Sequence, residues 1–135
     1  MRPSSQKSRL LLAVVAAGIA GCGSEGVPLA DVTGLVTFNG RPAQAEILFE
    51  PVGEPGKSGG RPSVGYADRT GRFQLGWSPE RTGAEIGRHR VLIKVLRGAE
   101  AKPRSLEEAT TPLKTVRLER TVREGDNHFA FVLTP

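Results

Sequence analysis

From Asp31 to the end of the chain, apolar residues recur chiefly at every second position, the spacing of a strand with one buried face. Residues 31–38 (DVTGLVTF) put Val32, Gly34, Val36 and Phe38 on one side. Asn39-Gly40 follows, the residue pair that most favours a tight hairpin turn. Residues 45–50 (AEILFE) turn Ala45, Ile47 and Phe49 to one face. Residues 63–67 (SVGYA), the turn 68–71 (DRTG) and residues 72–76 (RFQLG) predict a second hairpin, with Phe73 and Leu75 inward. Residues 89–96 (HRVLIKVL) set Val91, Ile93 and Val95 against Arg90 and Lys94, and residues 115–122 (TVRLERTV) repeat the device through Val116, Leu118 and Val122. After the turn 124–126 (EGD), residues 127–133 (NHFAFVL) contribute Phe129, Phe131 and Leu133. The pattern predicts an all-β fold: an antiparallel β-sandwich of about seven strands over residues 31–135. The one helical signal is Ser105-Leu106-Glu107-Glu108, a capping-box spacing inside the long loop 98–114; loop 52–62 is the other long connection.

The N-terminal pattern is of another kind. A basic, polar opening (MRPSSQKSR) precedes an apolar run over residues 10–20, and small residues end it at Gly21. This is the layout of a secretory signal peptide. The run has about eleven apolar residues, short of the ~20 that a transmembrane helix needs. It is apolar on every side, so it lacks the polar face of a helix packed on a core.

The run ends at Cys22, the sole cysteine, which has no partner in the chain for a disulfide. Ile19-Ala20-Gly21-Cys22 resembles a bacterial lipobox: a branched aliphatic residue, a small residue, Gly or Ala, then Cys. The resemblance implies that the Cys22 thiol is alkylated with diacylglycerol, that the chain is cut just before it, and that the new amino terminus is acylated. Residues 1–21 are then a cleaved lipoprotein signal peptide and residues 22–30 a flexible tether. One acyl chain binds a membrane marginally, whereas two or three on one residue hold it. Residue 23 is Gly rather than Asp, the retention signal for the inner membrane in that family, so the resemblance implies an outer-membrane location.

Composition changes the picture little. The 17 Gly and 10 Pro suit short strands joined by turns. The net charge of +5 suggests nucleic acid until it is located: Arg2, Lys7 and Arg9 precede the apolar run and supply three of it, leaving +2. The rest intersperses both signs, with no basic cluster able to track a phosphate backbone, so no nucleic-acid partner is expected.

Four stretches together resemble the carboxypeptidase regulatory-like family: residues 32–40 (VTGLVTFNG), 45–51 (AEILFEP), 66–73 (YADRTGRF) and 83–93 (GAEIGRHRVLI). The match departs at Ala67, where the family often has Thr. It implies a transthyretin-like (prealbumin-like) sandwich with a non-catalytic structural or interaction role. Its partners would be the membrane, through the anchor, and an unidentified envelope protein or glycan. No cofactor is implied beyond the lipid on Cys22.

Other chemistry is thin. Residues 53–58 (GEPGKS) approach a phosphate-binding loop, but that motif needs Gly where Pro51 stands and a helix after it, and Gly-Gly-Arg-Pro follows. His89 falls in phase with inward residues and His128 with outward ones, so a metal site is not expected. Asp68 reads as the first position of a turn ending at Gly71, and adjacent Glu107 and Glu108 cannot flank one glycosidic bond. Two alternatives remain. Tyr66 and Trp77, exposed on one face, would form a glycan-stacking platform. A small hydrolase of the transthyretin-like fold would need His89, His128 and an arginine in one cleft, yet the chain ends in Phe-Val-Leu-Thr-Pro rather than the Tyr-Arg-Gly-Ser of such enzymes.

Overall fold

The computed structural model describes residues 26–55, 59–98 and 103–135. Cys22 and the lipobox residues Ile19, Ala20 and Gly21 lie outside the described residues, as does the signal-peptide segment.

Among the described residues, nine strands and one short helix follow in the order β1 (Leu29–Phe38), β2 (Arg41–Pro42), β3 (Ala45–Pro51), β4 (Ser63–Ala67), β5 (Arg72–Gln74), β6 (Ala84–Glu85), β7 (Gly87–Val95), α1 (Leu106–Thr110), β8 (Lys114–Val122) and β9 (Asp126–Leu133). They form two sheets. In the first, β1 is central, with β9 along one side and β2, β5 and β6 sharing the other. The second has the order β4-β3-β7-β8. Both inner faces fill one core, in which Val32, Val36, Phe73 and Phe131 from the first sheet meet Ile47, Phe49, Val91 and Ile93 from the second.

The aromatic residues knit the layers together. Phe131 stacks on Phe73 and on Phe129, each with centroids 6.0 Å apart, and lies tilted 6.5 Å from Phe49 across the core. Gly34 makes room for this: it pairs with Phe73 on one side and Phe129 on the other, and the Phe73 ring occupies the space its missing side chain leaves.

Four expectations need correction. First, β2 and β6, two residues each, bring the strand count above the expected seven. Second, the sandwich is not wholly antiparallel, because β9 runs parallel to β1 over eight residue pairs. The chain changes sheet between β8 and β9, so no hairpin sets the direction of β9. Third, both turns join arms that pair with each other, but each hairpin ladder is short because its arms also pair elsewhere. Asn39 and Gly40 adopt φ of 53° and 75°, as a type I′ turn requires, yet its return arm is only β2 before the chain crosses to the second sheet. Across the 68–71 turn the expected arms do pair at both ends, the Asp68 amide with the Arg72 carbonyl and Val64 with Gly76 in an antiparallel bridge, while β4 also pairs with β3 and β5 with β1. Fourth, the tether expected to run through residue 30 ends earlier, since Leu29 and Ala30 already pair with Glu85 and Ala84.

The helical signal does produce α1. The Ser105 hydroxyl accepts from the Glu108 amide at 3.1 Å, and the Glu108 carboxylate reaches back to the Arg104 amide at 2.8 Å, one residue beyond the usual capping-box target.

Candidate functional site

The end of the sandwich where the chain enters at Val27 is built around Trp77. The residues after β5 turn tightly, with the Trp77 amide bonded to the Arg81 carbonyl and the Arg81 amide to the Ser78 hydroxyl. This drives the indole inward until it is only 5% exposed. Its Nε1–H donates to Glu85 Oε2 at 3.0 Å, an oxygen that also accepts the Arg61 amide at 2.6 Å. The Arg61 and Arg81 guanidiniums lie 5.2 and 5.4 Å from the ring centroid, within cation–π range. Arg81 Nη2 also donates to the Val27 carbonyl at 2.9 Å, tying the incoming chain to the cluster.

Tyr66 is elsewhere. It stands 67% exposed on the outer face of β4, paired across the sheet with Glu46. The structure therefore does not bring Tyr66 and Trp77 into one stacking platform: one ring is free, and the other is covered by arginines.

The histidines are separated just as firmly. His89 is fully buried on the inner face of β7, 5.6 Å from the Phe49 ring, with Nε2 at 2.6 Å from the Glu85 carbonyl. A carbonyl only accepts, so Nε2 carries a proton; Nδ1 has no partner among the described residues, nor has the buried Ser63 hydroxyl. His128 is exposed on the outer face of β9, with Nδ1 at 3.3 Å from Thr33 Oγ1. The two imidazoles thus lie on opposite sides of the core wall and do not converge on a cleft. Among the described residues, no group of three His, Cys, Asp or Glu side chains gathers to hold a metal ion.

Asp68 organises its own turn. Its Oδ1 accepts from the Thr70 hydroxyl at 2.5 Å, the Thr70 amide at 2.8 Å and the Arg72 amide at 3.3 Å. The Thr70 hydroxyl foremost, then the Thr70 amide, hold the carboxyl below the usual aspartate range. A group whose folded value is depressed adds stability above its unfolded value of about 3.9 and loses it as pH falls through the folded value. Asp68→Asn is therefore expected to lower the urea midpoint by a small, constant amount above about pH 5, and by progressively less under about pH 4. A gap unchanged down to about pH 2 would show that the carboxylate charge is not its source.

Glu108, which the sequence pairs with Glu107, forms an ion pair with Arg97 at 3.3 Å and serves α1 rather than any reaction centre.

Two grooves stand out on the surface of the described residues. One, of about 510 Å³, lies on the outer face of the second sheet, where Leu48 and Leu92 are rimmed by Glu50, Arg90, Arg117 and Glu119. The other, of about 500 Å³, lies at the end away from Val27, with Phe38, Ala43, Val95, Leu96 and Leu113 as its apolar lining. Among the described residues, Arg41 and Arg69 are its only charged lining residues. Sequence reasoning missed Arg41 and Arg69, and also Glu85, whose carboxylate and carbonyl serve Trp77 and His89. Their local sequence signals were the two turn motifs that carry the arginines, read there for backbone shape alone.

No protein-family profile, no curated protein and no solved structure matches this chain.

Proposed function

We propose that this chain is a lipid-anchored protein of the cell envelope, acylated on Cys22 and held at the outer membrane. Its sandwich, of the carboxypeptidase regulatory-like, transthyretin-like kind, has a non-catalytic structural or interaction role. The observation that carries this reading is Ile19-Ala20-Gly21-Cys22 directly after a signal-like apolar run.

The fold is compatible with such an anchor. The chain enters at one end of β1, and six residues separate Cys22 from Leu29, a reach of at most about 25 Å. The opposite end of the sandwich, a strand length of about 30 Å away, then faces outward from the bilayer. The glycan-platform reading loses its paired rings and the hydrolase reading its paired histidines, so neither is favoured.

The test is fractionation of bacteria making the wild type or Cys22→Ala, with mass spectrometry of the mature amino terminus. The expected result is wild type in the membrane fraction, beginning at an acylated Cys22, and a variant that is neither acylated nor cut before residue 22. A membrane-bound wild type with an unmodified Cys22 thiol refutes the reading.

A further inference from the structure

The end of the sandwich away from Val27 carries the more selective of the two grooves. We propose that it is a binding site for a small organic carboxylate with an apolar body, whose carboxylate is held between Arg41 and Arg69 and whose body lies on Phe38, Leu96 and Leu113. This does not depend on how the chain is anchored.

Charge is the first argument. Among the described residues, Arg41 and Arg69 line the groove with no acidic residue beside them, and neither guanidinium has a hydrogen-bond or ion-pair partner there. Two like charges on one rim repel each other, and an anion between them replaces repulsion with charge-assisted hydrogen bonds. The groove on the outer sheet face offers a contrast: its two arginines are matched by Glu50 and Glu119, so it has no preference for either sign.

The lining is the second argument. Leu96 and Leu113 are 38% and 45% exposed at the groove, apolar surface that a ligand body would cover. A volume of about 500 Å³ falls within the range of small-molecule sites. It favours a small molecule over a protein surface as the occupant.

Preorganisation is the third. Arg41 directly follows the type I′ turn of Asn39 and Gly40, and Arg69 sits within the turn that Asp68 fastens. Gly71 locks the turns together: its φ is +80°, its carbonyl accepts the Val36 amide at 2.8 Å, and a Cβ there would lie 3.4 Å from Pro42 Cα. The backbone that carries both arginines is thus set before any ligand arrives, so only their side chains need ordering on binding.

The experiment is an NMR titration of the full chain with four probes: 3-phenylpropionate, 3-phenylpropanol (same body, no charge), 3-phenylpropylamine (opposite charge) and acetate (charge without body). 3-Phenylpropionate is expected to shift the amides of Arg41, Arg69, Leu96 and Leu113 saturably, and each other probe to bind at least about tenfold more weakly, the worth of one charge-assisted contact. Arg41→Gln and Arg69→Gln should each weaken 3-phenylpropionate about tenfold and leave 3-phenylpropanol unchanged. Both arginines are exposed, so the variants should keep the wild-type spectrum elsewhere. No saturable shift with 3-phenylpropionate overturns the proposal, as does equal binding of the alcohol, the amine or acetate, or indifference to both substitutions.

Discussion

Gly34→Ala is expected to destabilise the protein by about 3 kcal/mol or more, the upper range for forcing extra volume into a packed core. A Cβ at this position would lie 2.2 Å from the Phe129 carbonyl oxygen and 2.4 Å from the Phe73 ring. The oxygen belongs to the backbone of β9, which is paired with β1 along eight residues and cannot withdraw locally. The Phe73 ring cannot retreat either, because Phe131 stacks on it. A fall in Tm on the order of 15 °C follows for a domain of this size. Gly40→Ala provides the internal comparison: its φ is +75°, but a Cβ there would meet nothing within 4 Å. Only the conformational penalty applies, about 1 kcal/mol. Urea denaturation of both variants is the measurement, and a Gly34→Ala midpoint no lower than that of Gly40→Ala would contradict the steric account.

The second large effect is at Trp77. Trp77→Ala is expected to cost about 3–5 kcal/mol, as for other buried aromatic residues, whereas Tyr66→Ala should change stability by less than about 0.5 kcal/mol. Removing the indole strips Glu85 of a hydrogen bond and leaves two guanidiniums facing a void. Trp77→Phe keeps an aromatic face and loses only the donor and part of the bulk, so it should fall between the two, at about 1–2 kcal/mol. Circular dichroism in urea reads all three, since fluorescence loses its reporter with Trp77. In the wild type the same burial predicts weak quenching of tryptophan emission by acrylamide. Strong quenching, or equal costs at Trp77 and Tyr66, would put the indole on the surface and restore the platform reading.

Strand positions were legible because burial alternates with a period of two. Val32, Val36, Ile47, Phe49, Phe73, Val91 and Ile93 are all buried where that alternation places them. Strand partnership was legible only beside the turns, where Phe38 pairs with Arg41 and Val64 with Gly76. Asn39-Gly40 and the 68–71 turn have the same local chemistry whether the two arms pair with each other or separate into different sheets. What decides is the competition for the free sides of β1 and β3, which depends on residues up to a hundred positions away. His89 and His128 were assigned to the correct faces by phase alone. Trp77 could not be: its burial rests on Glu85, Arg61 and Arg81, and no periodicity links them. Arg41 and Arg69, read singly, resemble solvated turn residues, and only the contact of the two turns through Gly71 sets them over one groove. The lipobox was legible as a motif and lies outside the described residues.

The central position of β1 also has a mechanical side. The chain comes in through Val27 directly into this strand, so a pull at the amino terminus acts along β1 rather than at an edge. The load is shared at once by the β9 ladder on one side and by β2, β5 and β6 on the other. Those hydrogen bonds lie across the pulling direction and are sheared together instead of being unzipped one by one. A tension applied from a surface to this end of the sandwich would therefore meet its most resistant element first.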